Sequence, residues 1–151
     1  MSSSADLALY DRNGQLTAVA EVKNKLGTSR EWATQLRRNI LAHGGHYNVD
    51  FFLLVTPDRL YLWKNAGSTP LLIQPTYETD AQPIFAPYFE RAGVDPHNVS
   101  GHAFELIVAA WLSDLVRAEE PLGQLNEQKW LVESGFLTAV RDGRIAYEVT
   151  V

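Results

Sequence analysis

The sequence predicts an α/β fold built on a mixed sheet, and three features predict it. Asn13-Gly14 stands between two alternating apolar runs, Asp6 to Tyr10 and Gln15 to Lys23, the strongest short-range signal for a β-hairpin. Val49 to Thr56 is an apolar run too short for a helix and rich in β-formers, so it reads as a buried strand. Between the two lie Trp32, Leu36, Ile40 and Leu41 at helical spacing, preceded by the capping residues Thr28 and Ser29 and ending near Gly44-Gly45.

A chain of 151 residues with 46% hydrophobic and 11% aromatic content is long enough for one substantial core and too apolar for a disordered class. Residues 1–64 read as the α/β core and 65–100 as a loop-rich connection. Residues 101–151 read as a helical and hairpin part of the same domain. The absence of cysteine excludes disulfides and thiolate metal sites. Met1 to Ala5 lack a basic segment followed by an apolar run, and no stretch approaches the roughly 20 apolar residues of a membrane span. The expectation is a cytoplasmic protein with no membrane partner.

The net charge of −5 argues against general affinity for nucleic acid, but it is unevenly spread. Met1 to Arg38 hold six basic residues against four acidic ones, a local balance of +2 that leaves −7 for the rest. A phosphate-bearing ligand would therefore sit against the N-terminal third. Solvated charges on a hairpin and a helix account for the same pattern.

The register of the first hairpin matters most. With a two-residue loop at Asn13-Gly14, Asp6 lies directly opposite Glu21; with the four-residue loop Asp11 to Gly14 it pairs with Val19 and sits diagonal to Glu21. Either way the carboxylates share a face, and only an odd loop length would separate them. Along the second strand Leu16, Ala18, Ala20 and Val22 share one face, while Thr17, Val19, Glu21 and Lys23 share the other. The helix that follows exposes Arg30, Gln35 and Arg38.

Further along, Pro57-Asp58 turns the chain into the alternating strand Arg59 to Lys64. Asn65 to Gln82 is broken by Gly67, Pro70 and Pro75 and reads as a surface loop, followed by a short helix from Gln82 to Ala92. Ser100 or Gly101 opens a helix that is apolar almost all round from Phe104 to Val116, so it needs cover on several sides, from the sheet and from a second copy of the chain. Gln124 to Ser134 reads as another helix with Trp130 and Leu131 inside. Phe136 to Val140 and Arg144 to Val151, flanking Asp142-Gly143, read as a terminal β-hairpin.

Two carboxylates on one sheet face, one of them two residues before a lysine, suit a divalent-metal phosphodiesterase site. Hard oxygen ligands hold Mg²⁺, the ion takes up charge developing on phosphate, and a nearby ammonium can orient or help deprotonate the attacking water. Like charges facing each other across strands are destabilising without such a counter-ion. The plainer reading pairs Glu21 with Lys23 or Lys25 at a wet strand end.

Asp6, then fourteen residues, then Glu21-Val22-Lys23, with a turn between, resembles the PD-(D/E)xK nuclease superfamily, the restriction-endonuclease-like fold. Trp32 to Gln35 on the next helix, then Phe51 to Val55 and the hairpin into Leu60 to Trp63, are similar to the N-terminal nuclease domains of type I restriction motor subunits. The likeness covers Asp6 to Lys64. It implies a mixed-sheet core with a C-terminal helical addition and terminal β-hairpin, and a DNA-hydrolysing enzyme dependent on Mg²⁺ or Mn²⁺. It implies metal ligands at Asp6, Glu21 and the carbonyl of Val22, with Lys23 acting on the water. Gln35 would support the site or contact the nucleic-acid backbone. The chain departs from the family in having Ala5 where a proline usually precedes the aspartate, and only five residues before Asp6 where a helix and a strand are usual. Either the missing strand is replaced, by the C-terminal hairpin or a partner subunit, or the chain is an inactive interaction or oligomerisation module.

His43 and His46 have metal-compatible spacing, yet they flank a helix end, where histidine is common; His97 and His102 have no partners of matching spacing. Trp32, Trp63, Trp111 and Trp130 could stack on bases, but each sits in an apolar pattern that favours the core. Glu119-Glu120 reads as a solvated helix end.

Overall fold

A computed structural model describes residues 4–44, 48–118 and 126–150. Six strands form one mixed sheet: β1 (Ser4–Tyr10), β2 (Leu16–Val22), β3 (Phe51–Val55), β4 (Arg59–Lys64), β5 (Tyr77–Asp80) and β6 (Arg144–Thr150). Their spatial order is β5-β4-β3-β2-β1-β6. Only β2 and β3 run parallel; the other neighbouring pairs are antiparallel. The parallel pair is joined by α1 (Arg30–Ala42), the kind of crossover that a parallel connection requires.

Both faces of the sheet are covered, which is why all five residues of β3 are buried. On one face α1 packs Ala33 and Leu41 over Val19, Phe52, Leu54, Tyr61 and Trp63. On the other, Leu7, Leu9, Ala18, Ala20, Leu53, Val55 and Leu62 meet four helices. These are α2 (Gln82–Ala92), α3 (Gly101–Val116), α4 (Lys129–Glu133, after a 3-10 turn at Asn126–Gln128) and α5 (Phe136–Val140). Ser29 and Ser100 cap α1 and α3, accepting from the backbone N–H of Trp32 and Ala103 at 3.1 Å each. In α3 eight residues are buried, while Leu106 remains 50% exposed.

Four expectations are corrected. First, the β1–β2 turn is neither a two- nor a four-residue loop. Gly14 N–H donates to Asp11 O (2.9 Å) and Asp11 N–H to Gln15 O (2.8 Å), with Gly14 at φ 80°, so three residues are enclosed and the last is left-handed. Such an odd loop would separate the carboxylates, but the register slips again between Leu9 and Tyr10. Beyond that bulge Leu9 faces Ala18 and Leu7 faces Ala20, the alignment a two-residue loop would have produced. Second, Phe136–Val140 is helix, not strand. Left-handed Gly135 (φ 81°) starts the turn, and Phe136, Leu137 and Val140 bury one helical side. The chain does reverse at Asp142-Gly143, and Arg144 onward is strand, but its partner is β1, so β6 fills the position beside the aspartate-bearing strand. Third, the stretch read as a loop from Asn65 to Gln82 contains β5, paired to β4. Fourth, within the helix read over Gln124 to Ser134, the described residues form only the 3-10 turn and α4. Trp63, Trp111 and Trp130 are buried and Trp32 half-buried, as core packing requires. His46, Glu119 and Glu120 lie outside the described residues, and no described helix is long and apolar enough to cross a membrane.

Candidate functional site

The end of β2 is where the sheet opens. The described β1–β2 pairs stop at Leu7↔Ala20, whereas β2 stays paired to β3 through Val22↔Val55. Lys23 N–H then donates to Val55 O at 2.9 Å, toward β3. Neighbouring strand residues present their backbone groups to opposite sides, so Val22 directs both N–H and C=O toward β1. There the N–H finds the Asp6 carboxylate instead of a backbone carbonyl: Val22 N–H donates to Asp6 Oδ2 at 2.8 Å. Asp6 thus lies against the middle residue of Glu21-Val22-Lys23.

The strand changes phase at the same place. Leu7 packs in the layer of α2 and α3, yet Ala5, two residues away, packs with Val19 under α1. Strict alternation would put both on one face. Asp6 stands at that slip, which turns its carboxylate toward the β2 edge.

Glu21 is 6% exposed and, two residues on from Val19, belongs to the α1 face. Among the described residues no salt bridge joins it to Lys23 or Lys25. Lys23 is half-buried, and Lys25 places its ammonium 5.4 Å from the Trp32 ring centroid. Asp6, Glu21 and the Val22 carbonyl offer oxygen donors only, a set suited to a hard divalent cation. Among the described residues no group of three or more His, Asp or Glu side chains forms a metal cluster.

Gln35 sits on the exposed side of α1. It lines a hollow of about 160 Å³ with Arg30, Glu31, Thr34, Leu72 and Gln74. Asp6, Glu21 and Lys23 are not in that lining: Asp6 lies against Val22 in Glu21-Val22-Lys23, and Gln35 lines a hollow that includes none of the three.

Several residues that sequence reasoning passed over hold the site. Asn24 Nδ2 donates to Val99 O at 2.7 Å, tying the end of β2 to the segment before α3. Gly27 N–H donates to Asp58 Oδ2 (3.1 Å), and the Thr28 and Tyr61 hydroxyls meet at 2.9 Å. The stretch after the motif is thus fastened at three points. Burial raises the Tyr61 hydroxyl above its usual pKa, so it stays protonated in that bond.

Arg37, which counted only toward the basic balance, is 1% exposed inside the α1 layer. Its guanidinium carbon lies 5.7 Å from the ring centroids of both Phe52 and Trp63, and Nη2 donates to Gly67 O (3.0 Å) and Ala66 O (3.5 Å). Burial lowers its pKa, since the charged form loses water that two carbonyls do not replace. Compared with protein-family models, with characterised proteins and with solved structures, the chain matches none.

Proposed function

We propose that this chain is a metal-dependent nuclease acting on DNA phosphodiesters. The observation that carries the reading is the Val22 N–H to Asp6 bond, which sets one carboxylate beside a buried second carboxylate and a lysine without an ion-pair partner among the described residues. Asp6, Glu21 and the Val22 carbonyl would hold Mg²⁺ or Mn²⁺. When bound, the ion supplies positive charge to the phosphate as negative charge develops there. Lys23 would donate from its ammonium to the attacking water, orienting it and offsetting the negative charge that develops as the water gives its proton to solvent. Gln35, on the outer side of α1, suits a contact to the nucleic-acid backbone rather than to the reacting group. A cytoplasmic location goes with this reading.

The test is cleavage of plasmid DNA in Mg²⁺ or Mn²⁺. The wild type cuts, chelation stops it, and Glu21→Ala and Lys23→Ala each lose at least about a hundredfold, the scale of a general acid–base contribution. Undiminished cutting by either variant sinks the assignment. A non-catalytic interaction module is favoured by one observation, the exposure of Leu106 (50%) and Val132 (52%) on the helical layer. Under that reading the plasmid stays intact and Mg²⁺ leaves thermal stability unchanged.

A further inference from the structure

In open α/β sheets ligands bind outside the carboxyl ends of the strands. Beyond the ends of β2 and β3, Leu26, Pro57, Phe89 and Pro96 wall a hollow of about 240 Å³. Pro57 stands two residues after Val55, whose carbonyl takes the Lys23 N–H. Leu26 stands three residues after Lys23, about 10 Å of chain at most. The hollow therefore adjoins the candidate metal site. Pro57 and Phe89 are buried, and Gly27, next to Leu26, is held by Asp58 Oδ2, so the walls are fixed. Leu26 itself is 41% exposed, apolar surface that the fold leaves uncovered. The residues that flank the undescribed stretches lie elsewhere. α1 stops and β3 starts at the other end of the sheet, and α3 runs 16 residues, about 24 Å, from the Asn24 end before Ala118. Gln128 meets α2 on its Pro83 and Pro87 side, whereas the hollow uses Ala86 and Phe89. β1 and β6, which carry Ser4 and Thr150, are two and three strands from β3.

We propose that this hollow takes one unstacked base of a single-stranded DNA substrate, an inference that rests on the nuclease function proposed above. Its volume falls below the range of about 300–1,000 Å³ that holds drug-sized ligands, so it accepts one ring system rather than a whole nucleotide. Charge decides which part of the nucleotide enters. The lining holds Asp58 and no lysine or arginine, a set that repels phosphate and accepts from a base N–H. Lys23 and Lys25 stand outside the hollow on the stretch that leads into it, where the phosphates of the same strand would run. Gln82 and His97, both exposed, bond to Asp80 Oδ1 (3.0 Å) and Asp95 Oδ1 (2.9 Å) through the backbone N–H, and their side chains have no hydrogen-bond partner among the described residues. An amide offers a donor and an acceptor side by side, the pattern of a base edge. A base paired and stacked inside a duplex cannot enter, so the substrate must present unpaired nucleotides.

Fluorescence anisotropy with EDTA present, so that nothing is cut, compares labelled oligothymidylate of about eight nucleotides with a strand of the same length made of abasic sites. The two carry the same phosphates, so a difference between them belongs to the bases. The wild type binds the thymidylate about tenfold more tightly. Ala86→Leu, on the exposed side of α2 and a substitution that helices accept, fills the hollow and levels the two affinities. In Mg²⁺ the wild type cuts a single strand about tenfold faster than its duplex, whose bases must first unpair. Equal or undetectable binding of the two strands by the wild type overturns the proposal, as does a thymidylate preference that survives in A86L or a duplex cut as fast as the single strand. A base preference lost in A86L together with plasmid left intact in Mg²⁺ upholds the hollow and refutes the nuclease reading. Glu21-dependent cutting without a base preference does the reverse.

Discussion

Asp6 is given two tasks, bracing the open end of β2 and supplying a negative oxygen, and two substitutions separate them. Asp6→Ala removes the acceptor of the Val22 N–H, which faces a gap where the β1–β2 ladder has ended. A hydrogen bond to a charged group is worth about 1.5–3 kcal/mol, and Asp6 is half-buried, so the loss lies near the lower end, about 1.5 kcal/mol. Asp6→Asn keeps an oxygen in the same place and should cost less than about 1 kcal/mol, since a neutral acceptor replaces a charged one. Urea unfolding followed by tryptophan fluorescence measures both. The chemical task is read separately, by the stabilisation that Mg²⁺ gives the folded state: about 2.7 kcal/mol at a hundred times the dissociation constant in the wild type, and none in either variant. Plasmid cutting should disappear from both as well. If Asp6→Asn is as destabilised as Asp6→Ala, the Val22 bond does not brace the strand. If Asp6→Asn cuts at the wild-type rate, the carboxylate is not part of the chemistry.

Arg37→Met should be neutral or stabilise by about 1–2 kcal/mol in urea, because it removes a buried, incompletely partnered charge while filling most of its volume; Arg37→Ala should lose about 2–4 kcal/mol to the cavity. A loss above 1 kcal/mol in R37M would mean that the two rings and two carbonyls outweigh desolvation. Gly143→Ala should cost about 2–3 kcal/mol in thermal unfolding, since the added methyl runs into the Tyr10 carbonyl, a backbone atom that cannot rotate aside. Unchanged stability would refute that approach. Burial first, then the hydrogen bond to Asp114 and its charge, raise the Tyr88 hydroxyl above the ordinary value of 10.0. The unfolded chain ionises first, so this stability is whole below about pH 10 and is lost as pH climbs above it. Melts from about pH 9.5 to 11 should therefore fall more steeply for the wild type than for Tyr88→Phe, and parallel slopes would dismiss the bond.

What the sequence revealed and what it hid divide along one physical line. Glu21 and Lys23 were legible because a strand's alternation is local, and α1 because its apolar spacing and serine cap are local too. β5 was not: Tyr77-Glu78-Thr79-Asp80 lacks an alternating apolar signal, and only its pairing to β4 makes it a strand. Phe136–Val140 carries β-formers, but its spacing lets Phe136 reach Phe51 (ring centroids 5.3 Å apart) and Trp130 (6.0 Å) only as a helix. Tertiary contact overrode propensity there. The clamps on the site were hidden for the same reason. Asn24 meets Val99 across 75 positions and Gly27 meets Asp58 across 31, distances over which no periodicity speaks.

The alignment of the two carboxylate strands is itself a long-range property, although it looks like a turn property. The three-residue turn alone would carry Asp6 out of line with Glu21; the slip between Leu9 and Tyr10 brings it back. That slip is held from the far end of the chain. Gly143 packs against the Tyr10 carbonyl so closely that no side chain fits between them, and the Arg144 guanidinium lies over the Tyr10 ring. Asp142, at φ 61°, donates its N–H to Val116 O at the end of α3, fixing where β6 begins. The strand beside β1 therefore does more than fill an edge. By pinning the bulge at Tyr10 it sets the register on which the meeting of Asp6 with Glu21-Val22-Lys23 depends, so the candidate site is a product of both ends of the chain.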